Sequence, residues 1–330
     1  MKALVTGATG FLGQRLVLHL HQLGWKVTAT GRNRQKGMKL EEQGIHFVPS
    51  ALEDRSTITF LCKEQDYVFH CGALSSPWGN YEEFFQSNVE GTKNVIHGCL
   101  THRVKRLIHV STPSIYFRFV DQLNVKEDDP LPEQKVNHYA ETKWLAEQEI
   151  DRAFKEQGLP VITIRPRAIF GPGDQSILPR LLRANQERFI PLVNGGKSLI
   201  DLTYVDNVVD ALLLCVKSPS STLGQKYNIT NGEPMPLIDL LNKVFSLLDV
   251  PFNYKQVPFS TGYMLAGMME WFGKTVAGGK EPPLTRYTVG LLGKSQTLDI
   301  TKARKELGYE PRVSIDEGIR EFVKWWKEQS

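Results

Sequence analysis

The run Thr6-Gly7-Ala8-Thr9-Gly10-Phe11-Leu12-Gly13 constrains this chain more than any other segment. Its three glycines stand at positions i, i+3 and i+6, directly after the apolar run Ala3-Leu4-Val5. A stretch follows in which Leu16, Leu20 and Leu23 recur at helical spacing, closed by Gly24. A strand that turns sharply into a helix needs a residue without a Cβ at the turn, which Gly7 supplies. Gly10 lets the backbone approach a ligand closely, and Gly13 lets the helix lie close on the sheet. The helix end then offers unpaired N–H groups and the positive end of its dipole, a setting for phosphate. The pattern predicts a βαβ opening that holds the pyrophosphate of a dinucleotide.

The same alternation continues. Strands are expected at 26–30, 45–48, 67–71, 107–110 and 161–165, with helices between them, notably 84–100 and 138–157. This beat predicts an α/β fold, a Rossmann-type doubly wound parallel sheet. Near Gly171-Pro172-Gly173 the rhythm loosens and prolines become frequent. Residues 1–172 are expected to form the dinucleotide-binding domain and residues 173–330 a smaller, mixed C-terminal substrate lobe. About 199–230 is expected to return in part to the main sheet, because 226–230 reads as a strand.

Composition removes several classes. With 330 residues, 41% of them apolar and 23% charged, the chain can bury a large core. Forty Lys and Arg against 36 Asp and Glu give a net charge of +4 without a basic tract, which argues against a nucleic-acid partner. The longest apolar stretch, 208–216, is short and contains Asp210, so no transmembrane segment is expected. Lys2 followed by Thr6, Gly7 and Gly10 is not a secretory pattern. Cys62, Cys71, Cys99 and Cys215 lie far apart and read as reduced thiols in a cytoplasmic protein. The eight histidines form no coherent ligand set, so no metal is expected.

The second strand ends in Thr30-Gly31-Arg32-Asn33-Arg34. An acidic residue there would bond the adenosine ribose of NAD. A cation instead suits a 2′-phosphate, so Arg32 predicts NADP, with NAD as the alternative. Tyr139 and Lys143 stand at i and i+4 at the start of the 138–157 helix and share one face. A tyrosine with a pKa of about 10 is a poor base near neutrality. A nearby ammonium, together with an oxidised nicotinamide, would stabilise its phenolate. Lys143 can also hold the nicotinamide ribose. After the strand at 107–110 come three candidate hydroxyls, Ser111, Thr112 and Ser114, at the sheet edge where open parallel sheets place their sites.

In that order, the glycine loop, the hydroxyl segment and Tyr139/Lys143 resemble an extended short-chain dehydrogenase/reductase, of the epimerase/dehydratase superfamily. Asn88-Val89-Glu90-Gly91-Thr92, Arg165-Pro166 through Gly171-Pro172-Gly173, Tyr204-Val205-Asp206-Asn207-Val208 and Lys302-Ala303 through Leu307-Gly308 match further family segments, so the likeness spans the chain. The resemblance implies that the hydroxyl donor lies four residues before Tyr116, at Thr112. Tyr139 would be the general acid/base, Lys143 its activator, and Asn88 a support from the neighbouring helix. The expected cofactor contacts are Gly7, Thr9, Gly10, Phe11, Leu12, Gly13, Arg32, Leu52, Gly72, Ala73, Tyr139, Lys143 and Pro166. The family's Gly-Asp after the third strand is Ser50-Ala51 here, which moves adenine contact toward the backbone at Leu52. A homodimer through the helices around Phe84 and Tyr139 is also implied.

Nucleotide-sugar enzymes of this kind need cations for a diphosphate. Ile200 and Val289 occupy the two positions where the family usually has arginine, with Arg286 near the second, and Ala168 replaces its asparagine. Residues 263–272 are apolar and Met-rich. They suit a lid about a greasy ligand, a piece of core, or a face for a membrane surface. The segments 282–287 and 75–79 resemble the 3β-hydroxysteroid dehydrogenase-like branch. The expected reaction is hydride transfer between nicotinamide and a secondary alcohol or ketone of a hydrophobic small molecule, sterol-like or a β-hydroxy/β-keto acid. The alternatives are a nucleotide-sugar 4-epimerase or dehydratase with tightly bound NAD, and a non-catalytic dinucleotide sensor.

Overall fold

A computed structural model describes residues 1–275 and 281–329. Seven strands form the main sheet: β1 (Lys2–Thr6), β2 (Lys26–Gly31), β3 (His46–Pro49), β4 (Tyr67–His70), β5 (Arg106–Val110), β6 (Val161–Pro166) and β7 (Lys226–Ile229). All neighbours are parallel, in the order β7-β6-β5-β4-β1-β2-β3. The order reverses between β1 and β4, which opens a crevice at their C-terminal ends. Ala3, Leu4, Val5, Leu107, Ile108, Ile162 and Ile164 are buried along these strands, as a sheet covered on both faces requires.

The principal helices are α1 (Phe11–Gln22), α2 (Gly91–Thr101), α3 (His138–Gln157), α4 (Val205–Lys217), α5 (Phe259–Thr275) and α6 (Arg286–Gly293). Leu16, Val17 and Leu20 of α1 share one core with Val208, Val209 and Leu212 of α4. On the other face, Val95 and Cys99 of α2 pack with Ile150 and Ala153 of α3. The ends of α3 fall where the sequence places them, for local reasons. Asn137 Oδ1 accepts the Ala140 N–H at 2.9 Å, and Gly158 closes the helix in the left-handed region at φ +67°.

Two expectations change. The helix expected over 84–100 is broken: a π-helical turn, Phe85–Glu90, separates a short helical turn at Tyr81–Phe84 from α2. The wider turn carries Asn88, whose amide binds outside the helix, and such turns recur at functional sites. The two lobes also interleave. Gln122–Val125, from the first lobe, joins Gln296–Leu298, Leu199–Ile200 and Met235–Pro236 in a four-stranded mixed sheet. Of the segment 199–230, α4 and β7 lie on the main sheet, while Thr203–Tyr204 pairs with Ile169–Phe170. Ile300, Ala303, Leu307 and Tyr309 also return to the main core.

The second lobe has its own core of Leu240, Leu241, Val244, Ile319 and Phe322. Its α5 and α6 form a cap, joined through Ala266, Val289 and Val193. Among the described residues no helix is long and apolar enough to cross a membrane.

Candidate active site

A cleft of about 510 Å³ opens along the C-terminal ends of β1, β2, β4 and β5. Gly7, Thr9, Gly10, Phe11, Leu12, Gly13, Arg32, Leu52, Gly72, Ala73, Tyr139, Lys143 and Pro166 all line it, and so does Thr112. Gly7 adopts φ +67°, and a Cβ on it would lie 2.6 Å from Gly72 Cα. A Cβ on Gly13 would lie 2.2 Å from the Gly7 carbonyl oxygen. Loop, strand and helix therefore approach more closely than side chains allow. Gly10, the N-cap of α1, has no side chain to cover the first-turn N–H groups. These residues fit the pyrophosphate of a dinucleotide.

At the other end of the cleft, a Cβ on Gly31 would lie 2.6 Å from Thr9 Oγ1, so Thr9 occupies the space an acidic side chain would need. Arg32 and Asn33 form the rim there, and Arg32 is exposed. The Leu52 carbonyl accepts the Asn94 amide at 2.9 Å, which fixes this wall.

Tyr139 stands in the first turn of α3. Burial pushes its hydroxyl up to about pKa 12, and a hydrogen bond with Thr112 opposes that rise. Lys143, one turn later, is 2% exposed. Burial brings its ammonium down to about pKa 8, while Glu147 acts against the fall. Its Nζ donates to the Val110 carbonyl at 2.7 Å and lies 3.2 Å from His109 Nε2. His109 stacks on His70 with ring centres 5.6 Å apart, and the two stand opposite one another on β5 and β4. His70 is held between Thr6 Oγ1 at 2.8 Å and Thr92 Oγ1 at 3.0 Å. Burial lowers both imidazoles, His70 to about pKa 3, and Lys143 adds to the effect. A neutral His109 protonated at Nδ1, toward Thr163 Oγ1 at 3.5 Å, presents Nε2 as acceptor to the ammonium.

The three candidate hydroxyls separate. Thr112 is the one beside the Tyr139 hydroxyl. Its Oγ1 donates to Ser114 Oγ at 3.1 Å, and Ser114 Oγ lies 3.0 Å from the hydroxyl of Tyr287 on α6. Ser111 lines the cleft on the side of Glu147. Asn88 stands one layer behind. Its Oδ1 accepts the Leu74 N–H at 2.7 Å, and its Nδ2 donates to the Leu74 carbonyl and to Thr142 Oγ1. It thereby ties the loop after β4 to α3. Glu147 of α3 pairs with buried Arg165 of β6 at 2.5 Å, which fixes the helix on the sheet.

Beyond Tyr287 an outer cavity of about 1060 Å³ has an aromatic side, with Phe117, Phe119, Tyr263 and Tyr287, and a polar side that includes Asn80, Glu83, Gln134, Asn137 and Glu141. Among the described residues, one of its cations meets a carboxylate and two meet neutral carbonyls. Arg286 pairs with Glu270 at 2.7 Å, Arg118 donates to the Pro130 carbonyl, and Lys135 donates to the Pro132 carbonyl. Val289 is fully buried, and Ile200 packs with the second lobe's core.

Sequence reasoning missed His70, His109 and Tyr287. A histidine at the same register near the end of two adjacent strands was the available signal for the first pair. Tyr287 closes the segment 282–287 that carries the branch resemblance, but its partner Ser114 lies 173 residues away.

The family described as the NAD dependent epimerase/dehydratase family matches residues 3–230. The chain belongs to that family. Among these extended short-chain dehydrogenases/reductases it falls in the 3β-hydroxysteroid dehydrogenase-like branch, and it is an oxidoreductase. It is 38% identical to the protein YbjS of Escherichia coli, over 99% of this chain and 98% of the relative. It is 36% identical to a 2-alkyl-3-oxoalkanoate reductase of Stenotrophomonas maltophilia, over 97% of this chain and 98% of that one. It is 32% identical to the human decarboxylating sterol-4-alpha-carboxylate 3-dehydrogenase, over 97% of this chain and 86% of the relative. A UDP-glucuronic acid 4-epimerase of Bacillus cereus, solved with NAD, superposes with a TM-score of 0.80 at 20% identity, over 100% of this chain and 97% of the other. That likeness is one of fold.

Proposed function

We propose that this oxidoreductase interconverts the ketone and secondary alcohol of a hydrophobic β-keto or β-hydroxy acid, or a sterol-like equivalent, with NADP(H). The observation that carries the reading is the meeting of Thr112, Tyr139 and Lys143 in the nucleotide cleft, beside a cavity with one aromatic side. A diphosphate-bearing substrate would need cations, and the apolar Ile200 and Val289 supply none. The relatives named for 2-alkyl-3-oxoalkanoate and sterol-carboxylate chemistry support the same substrate class.

A reduced nicotinamide bound in the cleft supplies hydride for a carbonyl carbon. Tyr139, with a pKa near 12, is fully protonated at neutral pH and gives its proton to the carbonyl oxygen. Thr112 orients that oxygen. Lys143 holds the cofactor ribose and brings positive charge toward Tyr139, while His109 and the Val110 carbonyl position its ammonium. In the oxidative direction, an alcohol with a carboxylate on the adjacent carbon gives a β-keto acid able to lose carbon dioxide. Arg32 selects NADP by meeting the 2′-phosphate. The α2 and α3 surfaces pair two copies into a dimer, and the free thiols fit a cytoplasmic setting.

The test is a long-chain 2-alkyl-3-oxoalkanoate with NADPH, followed by cofactor absorbance and product analysis. Stoichiometric NADPH oxidation with formation of the 3-hydroxy acid is expected. Interconversion of UDP-sugars by protein that retains NAD through purification, with no ketone reduction, would replace this reading with the epimerase one.

A further inference from the structure

Two arginines stand two residues apart where β6 ends, and the fold treats them differently. Arg165 and Arg167 are both buried. Arg165 meets Glu147 through two nitrogens, Nε at 2.9 Å and Nη2 at 2.5 Å, so its charge is neutralised inside the protein. Arg167 has no such partner. Its Nη1 donates to the neutral Gln296 Oε1, its Nε finds no acceptor, and among the described residues it forms no ion pair. Burial works against its charge, and Tyr287 and Asp201 offset that only in part. The Asp201 Oδ2 instead accepts the Leu298 N–H at 3.0 Å. A buried guanidinium without a carboxylate is costly, and an unpaired N–H adds to the cost. The residue keeps 8% of its surface open, so it is not sealed off.

Its position is fixed from both sides. The Arg167 N–H donates to the Ile229 carbonyl at 3.1 Å, and its carbonyl accepts the Thr203 hydroxyl. Ala168 then adopts φ +44°, a backbone conformation that a residue with a side chain rarely takes and that recurs at functional sites. Pro166 and Ala168, on either side of Arg167, line the nucleotide cleft. Tyr287 lies close to both Tyr139 and Arg167, since it acts on each of them electrostatically. From Tyr139 and Thr112, the hydroxyls of Ser114 and Tyr287 follow in steps of 3.1 and 3.0 Å. A fixed positive charge with a spare donor therefore stands near the place where a substrate oxygen meets Tyr139. In a β-keto or β-hydroxy acid, a single carbon separates the reacting centre from the carboxylate.

We propose that Arg167 binds the carboxylate of the substrate, with the Tyr287 hydroxyl beside it, and so makes the enzyme select acids over their neutral esters. The inference rests on the reading above that a secondary alcohol or ketone reacts at Tyr139, and it adds the group that recognises the acid. A carboxylate supplies what the fold withholds from Arg167, an acceptor for Nε and a negative charge in a place shielded from water.

A 2-alkyl-3-hydroxyalkanoate and its methyl ester are oxidised with whichever of NADP⁺ and NAD⁺ the protein binds more tightly, and initial rates are read by cofactor absorbance. The alcohols are used because a β-keto acid loses carbon dioxide on standing. Wild type should take the acid with a KM about 10- to 100-fold below that of the ester, at similar kcat. Arg167→Met should raise the KM of the acid to that of the ester, and leave kcat and KM for the ester within about threefold. Arg167→Lys keeps a cation and should keep part of the preference. Calorimetric cofactor binding checks that both variants are folded. Equal KM for acid and ester in wild type overturns the carboxylate site and leaves the hydride-transfer reading standing. Equal losses on acid and ester in folded Arg167→Met also overturn it, because they make the arginine a structural support. Turnover of neither compound by wild type removes the reading beneath the inference, and the inference with it.

Discussion

The nucleotide cleft and the cap are built on opposite plans. In the cleft the backbone makes the site. The spacing of Gly7, Gly10 and Gly13 sets how near β1, α1 and Gly72 can come, and main-chain N–H groups are what the loop offers a ligand. In the cap, side chains distant in sequence make it. Tyr287 closes on Ser114, Arg286 on Glu270, and α5 turns its large apolar groups outward. A backbone-made site tolerates little at its glycines and much elsewhere. A side-chain-made site shifts gradually with each substitution, and its partner is written in surface chemistry.

The largest effect that sharpens this contrast lies where the two plans meet. Tyr139→Phe removes the hydroxyl proposed as proton donor and leaves the cleft wall in place. Turnover should fall by about 10²- to 10⁴-fold, while NADPH affinity by calorimetry stays within roughly threefold, because the phosphate contacts lie elsewhere. A comparable loss of affinity would mean that Tyr139 acts mainly by shaping the cleft.

Gly13→Val and Gly267→Ala set the two plans side by side. The added Cβ at Gly13 meets the Gly7 backbone at 2.2 Å, and neither group can yield without moving the phosphate loop. A stability loss of about 1–3 kcal/mol and cofactor affinity too weak to measure are expected. At Gly267, inside α5, the nearest atom to an added Cβ is the flexible Arg286 Cδ at 3.7 Å. Alanine there should raise stability by about 0.5–1 kcal/mol through helix propensity and leave cofactor binding alone. Chemical denaturation of both variants reads the difference. Equal costs would remove the distinction between the regions.

Lys143 carries a pH dependence whose sign is fixed by burial, which lowers its pKa from 10.5 to about 8. Between pH 8 and 10.5 the unfolded chain holds the proton that the folded chain has lost. This group's contribution to stability therefore rises with pH across that window, and the full penalty is present below 8. Lys143→Met should stabilise the free protein at neutral pH by on the order of 2 kcal/mol while removing turnover. The kcat/KM for reduction should decline above about pH 8 as the ammonium is lost. His109→Leu takes away an acceptor from that ammonium, so the decline should move to lower pH. A pH profile unmoved by His109→Leu would leave the Val110 carbonyl as sufficient support.

These contrasts also explain how much the sequence disclosed. Apolar runs and helical spacing located β1 to β7, α1 and α3, because those patterns are the local cause of the elements. The glycine loop was legible for the same reason, whereas the residues alone left three candidate hydroxyls open and only the family resemblance pointed to Thr112. The π turn at Asn88 was not legible, since one additional residue in a helical turn leaves the apolar spacing of 84–100 almost unchanged. His70 and His109 read as ordinary strand residues until β4 and β5 are placed side by side. The pairing of Gln122–Val125 with Gln296–Leu298 depends on a partner far along the chain. For 263–272 the pattern showed where the apolar groups lie around the helix. Which side meets the protein was decided by the small Ala266 and by the Glu270–Arg286 pair.

The smallest predicted effect tests the rim of the cleft, where the backbone plan gives way to a side chain. Arg32 is exposed, so the contact proposed for it with a 2′-phosphate would be a charge-assisted bond at the edge of solvent. Arg32→Ala should weaken NADPH by roughly tenfold, about 1.4 kcal/mol, and leave NADH within about twofold. The NADPH preference should also shrink in high salt. The reciprocal change is expected to fail: Gly31→Asp should not create an NAD enzyme, because Thr9 Oγ1 stands 2.6 Å from where the new Cβ must go. Gly31→Asp combined with Thr9→Gly opens that space and should recover NADH binding. If Gly31→Asp alone gains NADH affinity, the glycine at this strand end reflects the choice of cofactor rather than the packing of Thr9 against β2.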